Sequence, residues 1–97
     1  MIAQILGQAA VLIARPGTWC QNAYRFGPNM RCLVGALRSA IGDGQTMNKC
    51  YSRVLLMIND PYTQSECGAE LFNDSHTQSE CVAMLARAAA RAAREDQ

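Results

Sequence analysis

Histidine and tryptophan each occur once in this 97-residue sequence, proline occurs three times, and none of its five cysteines forms a Cys-x-x-Cys pair. A single histidine beside cysteines spaced 12 to 18 residues apart is not a zinc pattern, and neither a metal nor another cofactor is expected. Charge is also scarce, at 18% of residues with a formal net charge of +1. That small total hides a split, since residues 1–53 hold six basic side chains and one acid while residues 54–97 hold three and seven. Halves of opposite sign that pack together cancel much of each other's field, so the balance demands neither nucleic acid nor a membrane. Long apolar runs are missing too. The first 13 residues are apolar but carry Gln4 and Gln8 and stop at Arg15-Pro16, which reads as neither signal peptide nor membrane span. Gly42 and Gly44 lack the lysine of a phosphate-binding loop and read as a turn.

What is abundant is apolar surface, at 49% of residues, in a chain long enough for one domain, residues 1–97, with a modest core. Five cysteines, several within apolar stripes, suit free thiols in a reducing cytoplasm. The organising stretch is Arg31–Ile41. Met30, Leu33, Val34, Leu37 and Ile41 follow helical spacing, with Asn29 suited to cap the helix. Gly35 in its middle costs about 1 kcal/mol against alanine, a loss offset if a neighbour packs where a Cβ would stand. Trp19 is the expected neighbour.

In chain order, Ile2, Ile5, Leu6, Ala9, Ala10, Leu12 and Ile13 predict a first helix over 2–14, closed by Pro16 and Gly17. Thr18-Trp19-Cys20-Gln21 has capping-box spacing and predicts a short helix over 19–25, with a hairpin within 18–27 as the alternative because Trp19, Tyr24 and Phe26 also suit strands. Gly42 suits the left-handed position after the central helix. Thr46 then caps a helix whose Met47, Cys50, Tyr51, Val54, Leu55 and Ile58 form one stripe, with Leu56 and Met57 off it, either packed on a second side or exposed as an apolar patch for a partner.

Residues 59–67, NDPYTQSEC, recur as NDSHTQSEC at 73–81. Thr63 with Glu66, and Thr77 with Glu80, have the spacing of capping boxes that start helices after Asn-Asp turns. Two copies are too few for a solenoid. A helix near 64–72 and a longer one to about Arg94, carrying Cys81, Val82, Leu85, Ala88, Ala89 and Ala92 on one side, complete the reading.

Chemistry is sparse. Arg87, Arg91 and Arg94 lie on one helical stripe that could meet phosphates, but no aromatic or further basic cluster joins them, and a solvated face is the simpler reading. Cys32 opens the central helix beside Arg31, and with His76 as base and Asn73 or Asp74 to orient it a cysteine hydrolase can be drawn. A packed thiol is the plainer reading. Asp60, Asp74, Glu66 and Glu80 offer a carboxylate or cation site, though the capping boxes already employ both glutamates.

Trp19-Cys20-Gln21, the run Arg31-Cys32-Leu33-Val34-Gly35-Ala36-Leu37 and the Asn-Asp turns resemble a family of small uncharacterised bacterial and phage proteins. Its members share a Trp-x-Gln segment, a Cys-x-x-Gly-Ala-Leu helix and a Trp-Asn-Asp turn before an Ala-rich helix. Here Ile58 or Phe72 replaces the tryptophan before Asn-Asp, and the second copy, followed by Val82 and the Ala-rich helix, fits better. The resemblance implies architecture and no activity. The expected fold is all-α, five or six short helices around the glycine-containing one. The expected function is a small cytoplasmic protein-interaction module, such as a phage- or mobile-element-encoded adaptor or inhibitor, binding a protein through Trp19, Gln21, Tyr24, Leu56, Met57, Asn73 and Asp74. A hydrolase using Cys32, His76 and Asp74 is the alternative.

Overall fold

Ile2, Ile5, Leu6, Ala9 and Ala10 are all buried on one face of helix α1 (Ile2–Leu12), as their spacing predicts. The computed structural model describes residues 2–42, 49–58 and 65–95. After α1 come strands β1 (Arg25–Phe26) and β2 (Met30–Arg31), then helices α2 (Leu33–Ile41), α3 (Lys49–Met57), α4 (Glu66–Ser75) and α5 (Gln78–Glu95). Five helices among the described residues, with one small ribbon, make the fold all-α. Helix α1 lies chiefly against α5 and then α2. Both α1 and α5 bury alanines, Ala9 and Ala10 on one and Ala88 and Ala92 on the other, which suits close approach of two backbones. Gln78 ties the pair from the start of α5, donating through Nε2 to the Ile13 and Arg15 carbonyls just beyond α1, both at 2.8 Å.

The central helix starts later than expected. Met30 and Arg31 pair with Phe26 and Arg25 in an antiparallel ribbon, so α2 begins at Leu33, and its cap is Cys32 rather than Asn29. The Cys32 Sγ accepts the Gly35 N–H at 3.4 Å. Five successive residues from Leu33 to Leu37 are buried, so the first turns of α2 are enclosed on every side. Gly42 ends the helix at φ +105°, its N–H donating to the Arg38 carbonyl at 3.0 Å.

The short helix expected over 19–25 is absent. Asn22 sits at φ +65° and Gly27 at +67°, both incompatible with a continuing right-handed helix, and a hairpin does form, but over 25–31 rather than within 18–27. Thr18 does not cap a helix; its hydroxyl donates to the Arg15 carbonyl at 2.6 Å while its own carbonyl accepts the Arg31 N–H at 2.9 Å. This loop has a purpose that a helix would defeat. The Tyr24 carbonyl accepts the Cys32 N–H at 3.1 Å and lies only 1.9 Å from where a Cβ on Gly35 would be. Backbone from Tyr24, rather than Trp19, therefore fills the space beside Gly35.

Thr46, Asn59, Asp60 and Thr63 lie outside the described residues, and with them the expected cap of α3 and the first Asn-Asp turn. Helix α4 is capped by Ser65, whose Oγ accepts the Gly68 N–H at 3.1 Å. It runs to Ser75 instead of stopping near 72, so Asn73-Asp74 forms its last turn and not a free turn after it. The second capping box forms as expected: the Thr77 N–H donates to Glu80 at 2.9 Å, and the Glu80 N–H to the Thr77 hydroxyl at 3.2 Å.

Candidate functional site

Among the described residues Asn73 is the buried polar side chain of the core, with no solvent exposure, and it ties α4 to the Trp19–Cys20 segment, the start of α2 and α5. Its Oδ1 accepts the Trp19 indole N–H at 2.7 Å and the Leu33 N–H at 2.9 Å, with the Cys81 thiol at 3.7 Å. Its Nδ2 donates to the Cys20 carbonyl at 3.0 Å and to Asp74 Oδ1 at 3.3 Å. A side-chain amide has an oxygen with two lone pairs and a nitrogen with two donor hydrogens, so this set uses its whole capacity, as a buried polar group requires. Gln21 completes the junction from outside. Its Nε2 contacts the carbonyls of Asn73, Asp74 and His76 at 3.1, 3.2 and 3.2 Å, capping the C-terminal end of α4, while Asp74 Oδ1 accepts the Asn22 N–H at 2.8 Å. Trp19, Gln21, Asn73 and Asp74, four of the expected binding residues, are thus gathered in one place and spend their polar groups on each other and on the backbone.

A second cluster was invisible in the sequence. Arg38 of α2 makes a fork to Glu66 of α4, both bonds at 2.8 Å, and the Tyr51 hydroxyl of α3 donates to the same carboxylate. The guanidinium lies 4.4 Å from the centre of the Tyr24 ring, so this expected binding residue packs against α2. Arg38 holds the Glu66 carboxyl below its ordinary range, and burial beside that carboxylate raises the Tyr51 hydroxyl. Glu66 therefore serves a clamp between three helices.

The residues drawn as a hydrolase occupy three different environments. Cys32 is 3% exposed, and burial raises its thiol despite the amides of Gly35 and Val34. The ring of His76 stacks on Phe72 with centroids 3.7 Å apart, and its Nδ1 donates to the Phe72 carbonyl at 2.8 Å. Asp74 is turned to Asn22 and Asn73. Among the described residues, no hydrogen bond joins Cys32 to His76 or Asp74.

Between the end of α3, α4 and α5 lies an open cavity of about 430 Å³. Met57, Ile58, Phe72, Met84 and Ala88 give it an apolar lining. Arg87, Arg91 and Arg94 line it too, so the stripe that reads as a solvated face borders a groove. Arg91 is half-buried and faces Glu95 at 3.7 Å, while Arg87 and Arg94 are exposed and make no ion pair among the described residues. Met57, one of the two off-stripe residues, belongs to this groove, and Leu56 before it is 59% exposed.

These features define a small all-α protein knotted together at a buried asparagine, with one basic-edged apolar groove. The chain belongs to a family of unknown function, DUF6197, whose sequence pattern matches residues 1–91. No curated protein and no solved structure matches it. In sequence Asn73 reads as part of an Asn-Asp turn and as a binding residue; the usable sign of its burial is its helical spacing with Ala69 and Phe72, which are buried with it.

Proposed function

We propose that this protein is a small cytoplasmic protein-interaction module, an adaptor or inhibitor, that docks its partner on the face formed by the end of α3, α4 and α5. The observation that carries this reading is the groove itself, an apolar lining left open beside three arginines. Apolar lining with an arginine edge has the composition of interface centres, and Met57 and Met84 adapt their shape to what they meet. The polar groups around Asn73, by contrast, are already engaged and have little left to offer a ligand. Five cysteines with no disulfide between them fit a reducing compartment.

A photo-crosslinking amino acid at Ala90, on the groove, and separately at Asn29, on the hairpin, tests the docking face in cells that naturally make the protein. The expected result is a discrete protein adduct from position 90 alone. Adducts from neither position, or equally from both, would overturn the assignment.

A further inference from the structure

We infer that the groove receives an acidic amphipathic helix of the partner protein, its carboxylates on Arg87, Arg91 and Arg94 and its apolar face against Met57, Met84 and Ala88. This rests on reading the groove as the docking surface and adds the chemistry of the occupant. Positions i, i+4 and i+7 of α5 spread the three guanidinium groups over about 10 Å, the rise of seven helical residues. That is too wide for one carboxylate or phosphate to satisfy, but it equals the repeat of acids at i, i+4 and i+7 on a second helix laid alongside. Arginine suits this role because its planar fork binds a carboxylate through two N–H groups. The apolar lining, on the same side of α5, asks for side chains that a polyanion does not have, so the occupant is apolar on one face and acidic along its edge.

Nucleic acid fits less well. A phosphate backbone needs a wide field of positive charge, whereas Arg91 already faces Glu95 and the C-terminal half of the chain carries seven acids. Phe72, the ring that reaches the groove, is buried and has one face covered by His76, so it offers no platform for base stacking.

The test uses the full chain and a fluorescein-labelled synthetic helical peptide with glutamates at i, i+4 and i+7 and leucines on the adjoining face. Fluorescence anisotropy should show binding on the order of micromolar, lost for the same peptide with lysine in place of glutamate. Arg91→Glu and, separately, Arg94→Glu should each weaken the acidic peptide by about tenfold or more, with the helix content unchanged by circular dichroism. Arg91→Glu should in turn favour the lysine peptide. Equal binding of both peptides, or displacement of the acidic one by a single-stranded oligonucleotide at lower concentration, would overturn the inference. So would a dimer of the chain that Arg91→Glu dissolves, which makes a second copy the occupant. If the Ala90 crosslink captures a partner while the acidic peptide does not bind, the docking face stands and the acidic-helix inference fails; without a crosslink the docking face itself fails.

Discussion

The Asn73 side-chain oxygen stands 2.7 Å from the indole nitrogen of Trp19, across 54 residues of chain. The same oxygen holds the Leu33 N–H, one of the amides that a helix leaves without an internal partner at its start. Asn73→Ala leaves the indole N–H, that amide and the Cys20 carbonyl unpaired in the core. The expected loss is about 3 kcal/mol, several times what a neutral surface hydrogen bond contributes. Urea denaturation followed by tryptophan emission checks both the loss and its place, since Trp19 is the sole indole.

Gly35 and Gly7 make a matched pair of helical glycines. A Cβ at Gly35 meets the Tyr24 carbonyl oxygen at 1.9 Å, and neither partner is a flexible side chain that can swing away. Gly35→Ala therefore costs about 1–3 kcal/mol in displaced backbone, against the gain in helix propensity. Around Gly7 nothing lies within 4 Å of the added carbon, so Gly7→Ala should stabilise by about 0.5–1 kcal/mol. The two midpoints moving in the same direction would show that Tyr24 does not press on α2.

Thr77→Ala removes the hydroxyl that accepts the Glu80 N–H and leaves a long helix uncapped. A loss of about 1 kcal/mol is expected, and restoration of most of it by Thr77→Ser would assign it to the hydroxyl. Calorimetry of the three proteins decides it.

The Arg38–Glu66–Tyr51 clamp predicts a pH dependence of definite sign. Arg38 chiefly lowers the Glu66 carboxyl in the folded chain from its ordinary value of 4.5. A carboxyl whose folded value is depressed contributes stability that is fully present above its unfolded value and is lost as pH falls through the folded one. Stability should thus drop as the solution is acidified below about pH 4.5, and Glu66→Gln should flatten that part of the profile. Urea midpoints measured at stepped pH for both proteins give the comparison. An unchanged slope in the variant would mean that other carboxylates carry it.

Helical periodicity located each helix because burial of one face repeats along the chain: α1, α5 and the body of α2 lie where their apolar stripes put them. Thr77 and Glu80 are legible for the same reason, being neighbours in sequence. The junctions were not. Nothing local tells Asn73 from Asn59, since the copies share seven of nine residues, and only the third dimension brings Trp19, Cys20 and Leu33 to Asn73. Gln21 looked like half of a capping box and caps a different helix, 52 residues on. Tyr24 fills the space expected of Trp19 because a carbonyl, unlike an indole, approaches a glycine backbone closely while also accepting an N–H. Arg87, Arg91 and Arg94 were recognised as a stripe, yet their groove depends on Met57 and Phe72 from other helices.

The five thiols separate packing from catalysis. A nucleophilic cysteine must be substantially thiolate near neutral pH and open to its substrate. Cys32 is buried, donates nothing to His76 and is raised above its ordinary value by desolvation. Cys81 is buried beside Asn73 and pushed up to about 12. Cys20 is 8% exposed and shifted the same way. Cys67 is exposed and Cys50 half-buried. Iodoacetamide at neutral pH should therefore label Cys67 first and Cys50 next, then Cys20, with Cys32 and Cys81 reacting only when the chain opens. Peptide mass mapping over a time course reads the order directly, and labelling in urea should bring all five to similar rates. Early labelling of Cys32, slowed by His76→Ala, would reverse the assignment, because a thiol that depends on an imidazole for its reactivity is a nucleophile rather than a helix cap.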